Sequence, residues 1–312
     1  EKMREGRVDV VFGTHRLLSK DVVFKDLGLL VIDEEQRFGV MHKERIKEMK
    51  SNVHVLSVSA TPIPRSLQMS LIGVRDMSLI ETPPKAKLPI QTYVINYDPY
   101  LLREVVLKEK ARDGQVFILY NKVESMEKTV NNFKKLIPEV TISYAHGKMN
   151  KEEMQDVVYK FNQNEFDVLI CTTIIENGID IPNANTIIVM DADKFGLAQL
   201  YQIRGRVGRG DRQAYAYLMY NKEKILGDTA LKRLEAIKEF TFLGSGYNIA
   251  MRDLSIRGAG DLLGSEQAGF IDSVGVDMYL ELINEELNNI SEEANKEVNI
   301  DDVQRSEERR VG

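Results

Sequence analysis

Short, unbroken apolar runs rich in β-branched residues alternate along most of the chain with amphipathic stretches, and this alternation leaves few folds open. The runs are Val8–Phe12, Leu27–Ile32, Val53–Val58, Ile90–Tyr97, Val116–Tyr120, Val140–Tyr144, Val168–Cys171, Thr186–Met190 and Ala214–Met219. Their length and composition predict strands. His42–Met49, Tyr100–Arg112, Ser125–Leu136, Lys151–Phe161 and Ala198–Val207 carry helical patterns between them. Continuous apolar strands separated by helices imply α/β architecture, with parallel sheets covered on both faces.

The Pro-rich segment Glu81-Thr-Pro-Pro-Lys-Ala-Lys-Leu-Pro89 punctuates the pattern and reads as a linker. The expected organisation is a first sheet unit over 1–82, short of its opening strands, a linker over 83–89 and a complete second unit over 90–225. After about Asn221 the strand signal stops. Thr229–Leu243 and Tyr247–Ile256 then predict two helices joined by Gly244-Ser-Gly246, a helical hairpin within 226–280. Residues 281–312 form an acidic tail. Arg305–Gly312 breaks from the preceding Asn/Glu-rich composition and is expected to be foreign to the protein. The Asn289–Asp302 stretch is polar and acidic, which favours disorder.

The 312 residues suffice for about two domains. Their 42 basic and 48 acidic side chains leave a net charge of −6. The tail 281–312 carries that whole deficit, so the remainder is balanced and a polyanionic ligand is not excluded. Nucleic-acid binding would rest on local basic and backbone N–H sites, not on a bulk positive field. The single cysteine, Cys171, excludes an intrachain disulfide framework and a Cys-rich zinc site. No apolar run approaches the roughly 18 residues of a membrane helix and no signal-peptide pattern occurs. The expected setting is soluble and cytoplasmic, with no membrane partner.

Four segments carry chemistry. Val31-Ile-Asp33-Glu34-Glu35-Gln36 delivers acids at a strand's carboxyl end, where open α/β sheets bind ligands. One carboxylate there can hold hydrated Mg²⁺ against nucleotide phosphates, and the next can orient and deprotonate a water. A solvated acidic turn is the bland alternative. Ser59-Ala60-Thr61-Pro62 lies one strand later; its hydroxyls could bond the acidic loop, or simply close a Pro-terminated turn.

Gln202-Ile-Arg204-Gly205-Arg206-Val-Gly208-Arg209 interleaves arginines with glycines. Planar guanidiniums suit phosphate oxygens, and the glycines suit close backbone approach better than a plain helix face; a solvated basic turn is the bland alternative. In Cys171-Thr172-Thr173-Ile-Ile-Glu176-Asn177-Gly178-Ile-Asp180, hydroxyls follow a buried strand, and Thr172 and Thr173 could meet a nucleic-acid phosphate. Gly178 and Asp180 could face a nucleotide. Cys171 itself reads as a small core residue. No histidine has zinc-ligand spacing. His15, in Gly13-Thr14-His15, and His146, in His146-Gly147-Lys148, sit in loops suited to phosphate contacts, whereas His42 and His54 read as surface residues.

Taken in order, Gly13-Thr14-His15, Asp33-Glu34-Glu35-Gln36, Ser59-Ala60-Thr61, Thr172-Thr173…Gly178-Ile-Asp180 and Gln202-x-x-Gly-Arg-x-Gly-Arg209 resemble the superfamily 2 helicase and translocase motor. Wider stretches are similar to the bacterial transcription-repair coupling factor (Mfd) family: Asp33–Val40, Ser59–Ser66, Gly73–Pro84, Thr172–Pro182, Gly196–Arg209 and Arg252–Gly269. The last of these also resembles the translocation hairpin of the fork-remodelling RecG family. The resemblance implies two RecA-like lobes and ATP-driven, Mg²⁺-dependent translocation on double-stranded DNA. It further implies displacement of stalled RNA polymerase and recruitment of excision-repair proteins, through domains outside these residues.

By the same resemblance, Asp33 would hold Mg²⁺ and Glu34 would activate water. Gln202, Arg206 and Arg209 would act on the triphosphate, with Arg209 as the arginine finger, and Gly178 and Asp180 would line the nucleotide site. Thr14, His15, His146, Gly147, Thr172 and Thr173 would face the DNA backbone. Ser59, Thr61, Arg257 and Gln267 would couple nucleotide state to motion. One departure stands out: the chain holds no G-x-x-x-x-G-K-[ST], the loop that cradles phosphates in this family. The loop is expected upstream of residue 1, and the chain alone is expected to be inactive. A RecG-like enzyme on branched DNA and a non-catalytic nucleic-acid-binding module are the competing readings.

Overall fold

Strands that are buried on both sides need cover on both sides, and the second half of the chain supplies it. In the computed structural model, residues 2–257 are described apart from 36–37, 50–52, 62–66, 68–69, 71–75, 81, 84–86, 174–180, 222 and 224; Met278 and Glu285 are also described. The chain divides into two units, Glu1–Ile63 and Pro64–Gly312.

The second unit is built on β3 (Gln91–Asn96), α3 (Pro99–Lys110), β4 (Gln115–Leu119), α4 (Met126–Leu136), β5 (Ile142–Ala145), α5 (Lys151–Asn162), β6 (Val168–Cys171), β7 (Ala184–Val189), α6 (Leu197–Arg204) and β8 (Tyr215–Tyr220). The six strands form one parallel sheet in the order β3-β8-β7-β4-β6-β5.

Strand alternation sorts the core into two layers. Phe117, Leu119, Leu169, Ile187 and Leu218 point to one layer, which holds Phe161 of α5 and Leu197, Leu200 and Ile203 of α6. Val116, Ile118, Val168, Ile170 and Ile188 point to the other, under Leu102, Val105 and Val106 of α3 and Met126, Val130 and Phe133 of α4. Local signals set the helix starts. Asp98 caps α3 by accepting from the Tyr100 amide at 2.8 Å, with Pro99 at the first helical position. Asn150 likewise caps α5 through the Glu153 amide.

A polar clamp fastens the entry to β6. The Asp167 carboxylate accepts from Lys110 Nζ at 2.9 Å and from the Thr141 amide and hydroxyl at 2.7 and 2.9 Å. Partial burial pushes its pKa up, but the Thr141 amide, Lys110 and the Thr141 hydroxyl outweigh that and hold it below the ordinary aspartate value. A carboxyl with a lowered folded-state pKa lends stability that is present above the unfolded value and lost as pH falls through the folded one. Asp167→Asn is therefore expected to destabilise the second unit by about 1–2 kcal/mol at pH 7. Urea unfolding at stepped pH should show the gap to the parent closing below about pH 4.

After β8 come α7 (Asp228–Glu239) and α8 (Gly246–Arg257), the two arms of the expected hairpin. Leu234, Ala236, Ile237 and Ile249 of these arms join the layer that holds α6.

The first unit holds α1 (Lys2–Glu5), β1 (Leu29–Asp33), α2 (Val40–Met49) and β2 (His54–Val58). The strands β1 and β2 pair in parallel, Asp33 opposite Val58. The predicted strand Val8–Phe12 does not form. Val10 and Phe12 are 68% and 93% exposed, and among the described residues no neighbouring strand offers that segment a ladder, without which extended backbone gains nothing from its polar groups. The other predicted strands and helices form, with ends moved by a few residues. No helix of the described residues is long and apolar enough to cross a membrane. The tail, including 305–312, lies outside the described residues apart from Glu285.

Candidate functional site

In the first unit, β1 ends on Asp33, whose side chain is exposed, and the next residue turns sharply. Glu34 has φ 52°, a left-handed conformation uncommon outside glycine, and its amide donates to the Val58 carbonyl at 3.0 Å. Such conformations cluster at functional sites because surrounding structure must hold them. An exposed carboxylate at a strand end suits hydrated Mg²⁺, which takes one or two carboxylates, waters and substrate phosphates instead of a closed protein cage.

Ser57 reaches the acidic loop, its hydroxyl donating to Glu35 Oε2 at 2.9 Å. Ser59 closes its own turn: its Oγ donates to the Thr61 carbonyl at 2.9 Å and accepts from the Thr61 amide at 3.3 Å. Thr61 is buried and Ser59 exposed. Thr14 caps a short 3-10 turn by accepting from the Arg16 amide. The exposed His15 ring lies 5.2 Å from that of His42, centroid to centroid.

In the second unit the carboxyl ends of β5 and β6 bring four candidates together. His146 and Gly147 follow β5, and Thr172 and Thr173 follow its neighbour β6, with the Thr172 amide donating to the Ala145 carbonyl. Thr172 is 5% exposed, whereas Thr173 after it is half-buried. The preceding Cys171 is buried, and burial pushes its thiol up to about 12, which removes it as a nucleophile. Gly178, Asp180 and Gln267 lie outside the described residues, and Arg257 is the last residue of α8.

The arginine segment sits elsewhere. Gly208 has φ +70°, and a Cβ there would meet Ala214 at 3.0 Å and Ile90 at 3.2 Å. These residues precede β8 and β3, so the segment crosses the amino ends of those strands, away from the Thr172 edge. The glycine is needed both for its backbone sign and for the close approach. It leaves Arg209 exposed, while Arg206 and Gln202 are half-buried. Arg204 is fully buried.

Two features escaped sequence reasoning. At the carboxyl edge, Asp191 binds both Lys122 and Lys194, at 3.0 and 2.7 Å. Burial raises the Asp191 pKa, but the two lysines outweigh it and lower it overall. Residues 120–122 and 191–194 lie far apart in sequence, and only the β4–β7 pairing brings them together. The other is Arg204, which the spacing alone does not separate from its neighbours, although a helical period running back through Leu200 and Leu197 puts it near an apolar face.

Comparison with known proteins follows the same division. The DEAD/DEAH box helicase family matches residues 1–70 and the helicase conserved C-terminal domain matches 92–211. The transcription-repair-coupling factor of Bacillus subtilis is 61% identical over 283 residues, 91% of this chain and 24% of that protein. Over nearly all of its residues this chain is similar to transcription-repair-coupling factors. The Staphylococcus aureus member is 56% identical over 288 residues, 92% of the chain and 25% of that protein. The chain thus spans about a quarter of the length of these members. Among solved structures, RecG bound to a three-way DNA junction superposes with TM-score 0.64 at 38% identity, covering 86% of this chain and 35% of that one. Dbp5 of S. cerevisiae bound to RNA and ADP BeF3 gives 0.51 at 20% identity, over 73% of this chain and 61% of that one, a likeness of fold alone.

Proposed function

We propose that this chain supplies motor parts of an ATP-driven translocase on double-stranded DNA, within a protein that displaces stalled RNA polymerase and recruits excision-repair proteins. The observation that carries the reading is the 61% identity to a transcription-repair-coupling factor over 91% of the chain. Asp33 holds Mg²⁺ on the nucleotide and Glu34 accepts the proton of the attacking water. Gln202, Arg206 and Arg209 neutralise charge on the transferring phosphoryl group, with Gly178 and Asp180 against the nucleotide. Thr14, His15, His146, Gly147, Thr172 and Thr173 track DNA phosphates, so stepping is independent of sequence. Ser59, Thr61, Arg257 and Gln267 belong to the coupling elements. ATP is the substrate and Mg²⁺ supplies charge neutralisation when bound.

A chimera tests this: the aligned segment of the Bacillus subtilis member replaced by this chain's residues. Expected are DNA-stimulated ATP hydrolysis and displacement of a triplex-forming strand from linear duplex. The 38% identity to RecG makes a branch-remodelling enzyme the second reading. Activity confined to forked DNA would favour that one and overturn the first, and ATP-indifferent, salt-sensitive binding would overturn both.

A further inference from the structure

Arg204 ends α6 and points into the protein. Its Nη1 donates to the Ile237 carbonyl at 3.1 Å, and its guanidinium lies over the Tyr201 ring, 4.9 Å from the centroid. Ile237 is in the last turn of α7, where carbonyls have no partner further along the helix and carry the negative end of the helix dipole. Its neighbours are served locally: the Ala236 carbonyl accepts from the Phe240 amide and that of Glu239 from the Thr241 amide. The Ile237 carbonyl is served by Arg204. Burial lowers the pKa of this guanidinium, with Tyr201 opposing. An arginine nonetheless remains charged, so a full charge sits at the turn of the hairpin.

The surrounding packing is continuous. Leu200, Ile203 and Val207 share a buried cluster with Leu234, Ile237 and Ile249. On the other arm, Ala250 and Leu254 of α8 pack on Leu67.

We propose that Arg204 is a positioning residue that locks the carboxyl end of α7 to the Gln202–Arg209 segment, so that movement of that segment is passed into the helical hairpin. The inference rests on the reading that Gln202, Arg206 and Arg209 act on the triphosphate. Arg204 itself touches no ligand in this scheme. An arginine fits because it joins a carbonyl and a ring face in one rigid plane, whereas lysine offers only a point charge.

In the chimera, Arg204→Ala should leave ATP turnover per second within about twofold of the parent while duplex travelled per ATP falls roughly fivefold or more, the range of a lost coupling contact. Arg204→Lys should recover part of the travel, and it carries the same test if the alanine variant fails to fold. Travel and turnover falling in equal proportion, or neither changing, would overturn the proposal. A second readout needs no activity. In the chain itself, Arg204→Ala should speed amide exchange both in 236–241 and in 202–209. Faster exchange confined to one of the two segments defeats the lock, even if the parent chimera proves inactive and the motor reading fails separately.

Discussion

Glu34→Gln should lower kcat for ATP hydrolysis by the chimera about 10²–10⁴-fold, the usual contribution of a positioned general base, with KM for ATP little changed. Glu34 is held in a left-handed turn, tied to Val58 of the neighbouring strand, whereas Asp33 is the last residue of β1. Glutamine keeps the length and planarity of the carboxylate and removes only its capacity to take a proton. A loss in kcat alone means an interaction made in the transition state was removed. Asp33→Asn should behave differently, raising the Mg²⁺ concentration needed for half-maximal rate, because a neutral amide is a poorer ligand for a hard cation. Steady-state kinetics with Mg²⁺ and ATP varied separately distinguish the two roles. Equal, modest losses in both variants would mean that the pair is a solvated turn.

The second sheet was legible because its strands are apolar runs long enough to cross a core, and two of the helices between them carry their own start signals, Asp98-Pro99 and Asn150. Val8–Phe12 has the same composition yet stays irregular, since strand formation depends on a partner that composition does not report. The candidate site divides in the same way. The acids after β1 and the hydroxyls after β6 follow from strand ends, which sequence locates well. The role of Gly208 was half legible: its presence among arginines suggested close approach, but the contacts with Ile90 and Ala214 that demand it come from residues set apart along the chain. Arg204 was hidden for the converse reason. Spacing placed it among phosphate-seeking arginines, while burial against α7 gives it another partner.

Residues 1–312 alone should hydrolyse ATP at less than about one hundredth of the chimera's rate, since removing even one preorganised donor from a transferring group costs about 10²–10³-fold. The chain offers acids and guanidiniums but no glycine-rich phosphate loop with its lysine, and Coulomb attraction from one side does not orient a triphosphate for in-line attack. The first unit adds a second handicap. Leu29, Val31 and Leu56, on β1 and β2, are each more than half exposed. Among the described residues the sheet has two strands, and a sheet of that size with so much apolar surface in water is marginal. Adding ATP and Mg²⁺ to the chain should accordingly leave its thermal unfolding unchanged, where the chimera's rises with nucleotide concentration by mass action. Brisk DNA-stimulated turnover by the chain alone, abolished by Glu34→Gln, would show that these residues bind the triphosphate without the loop and would force a different account of how the phosphates are held.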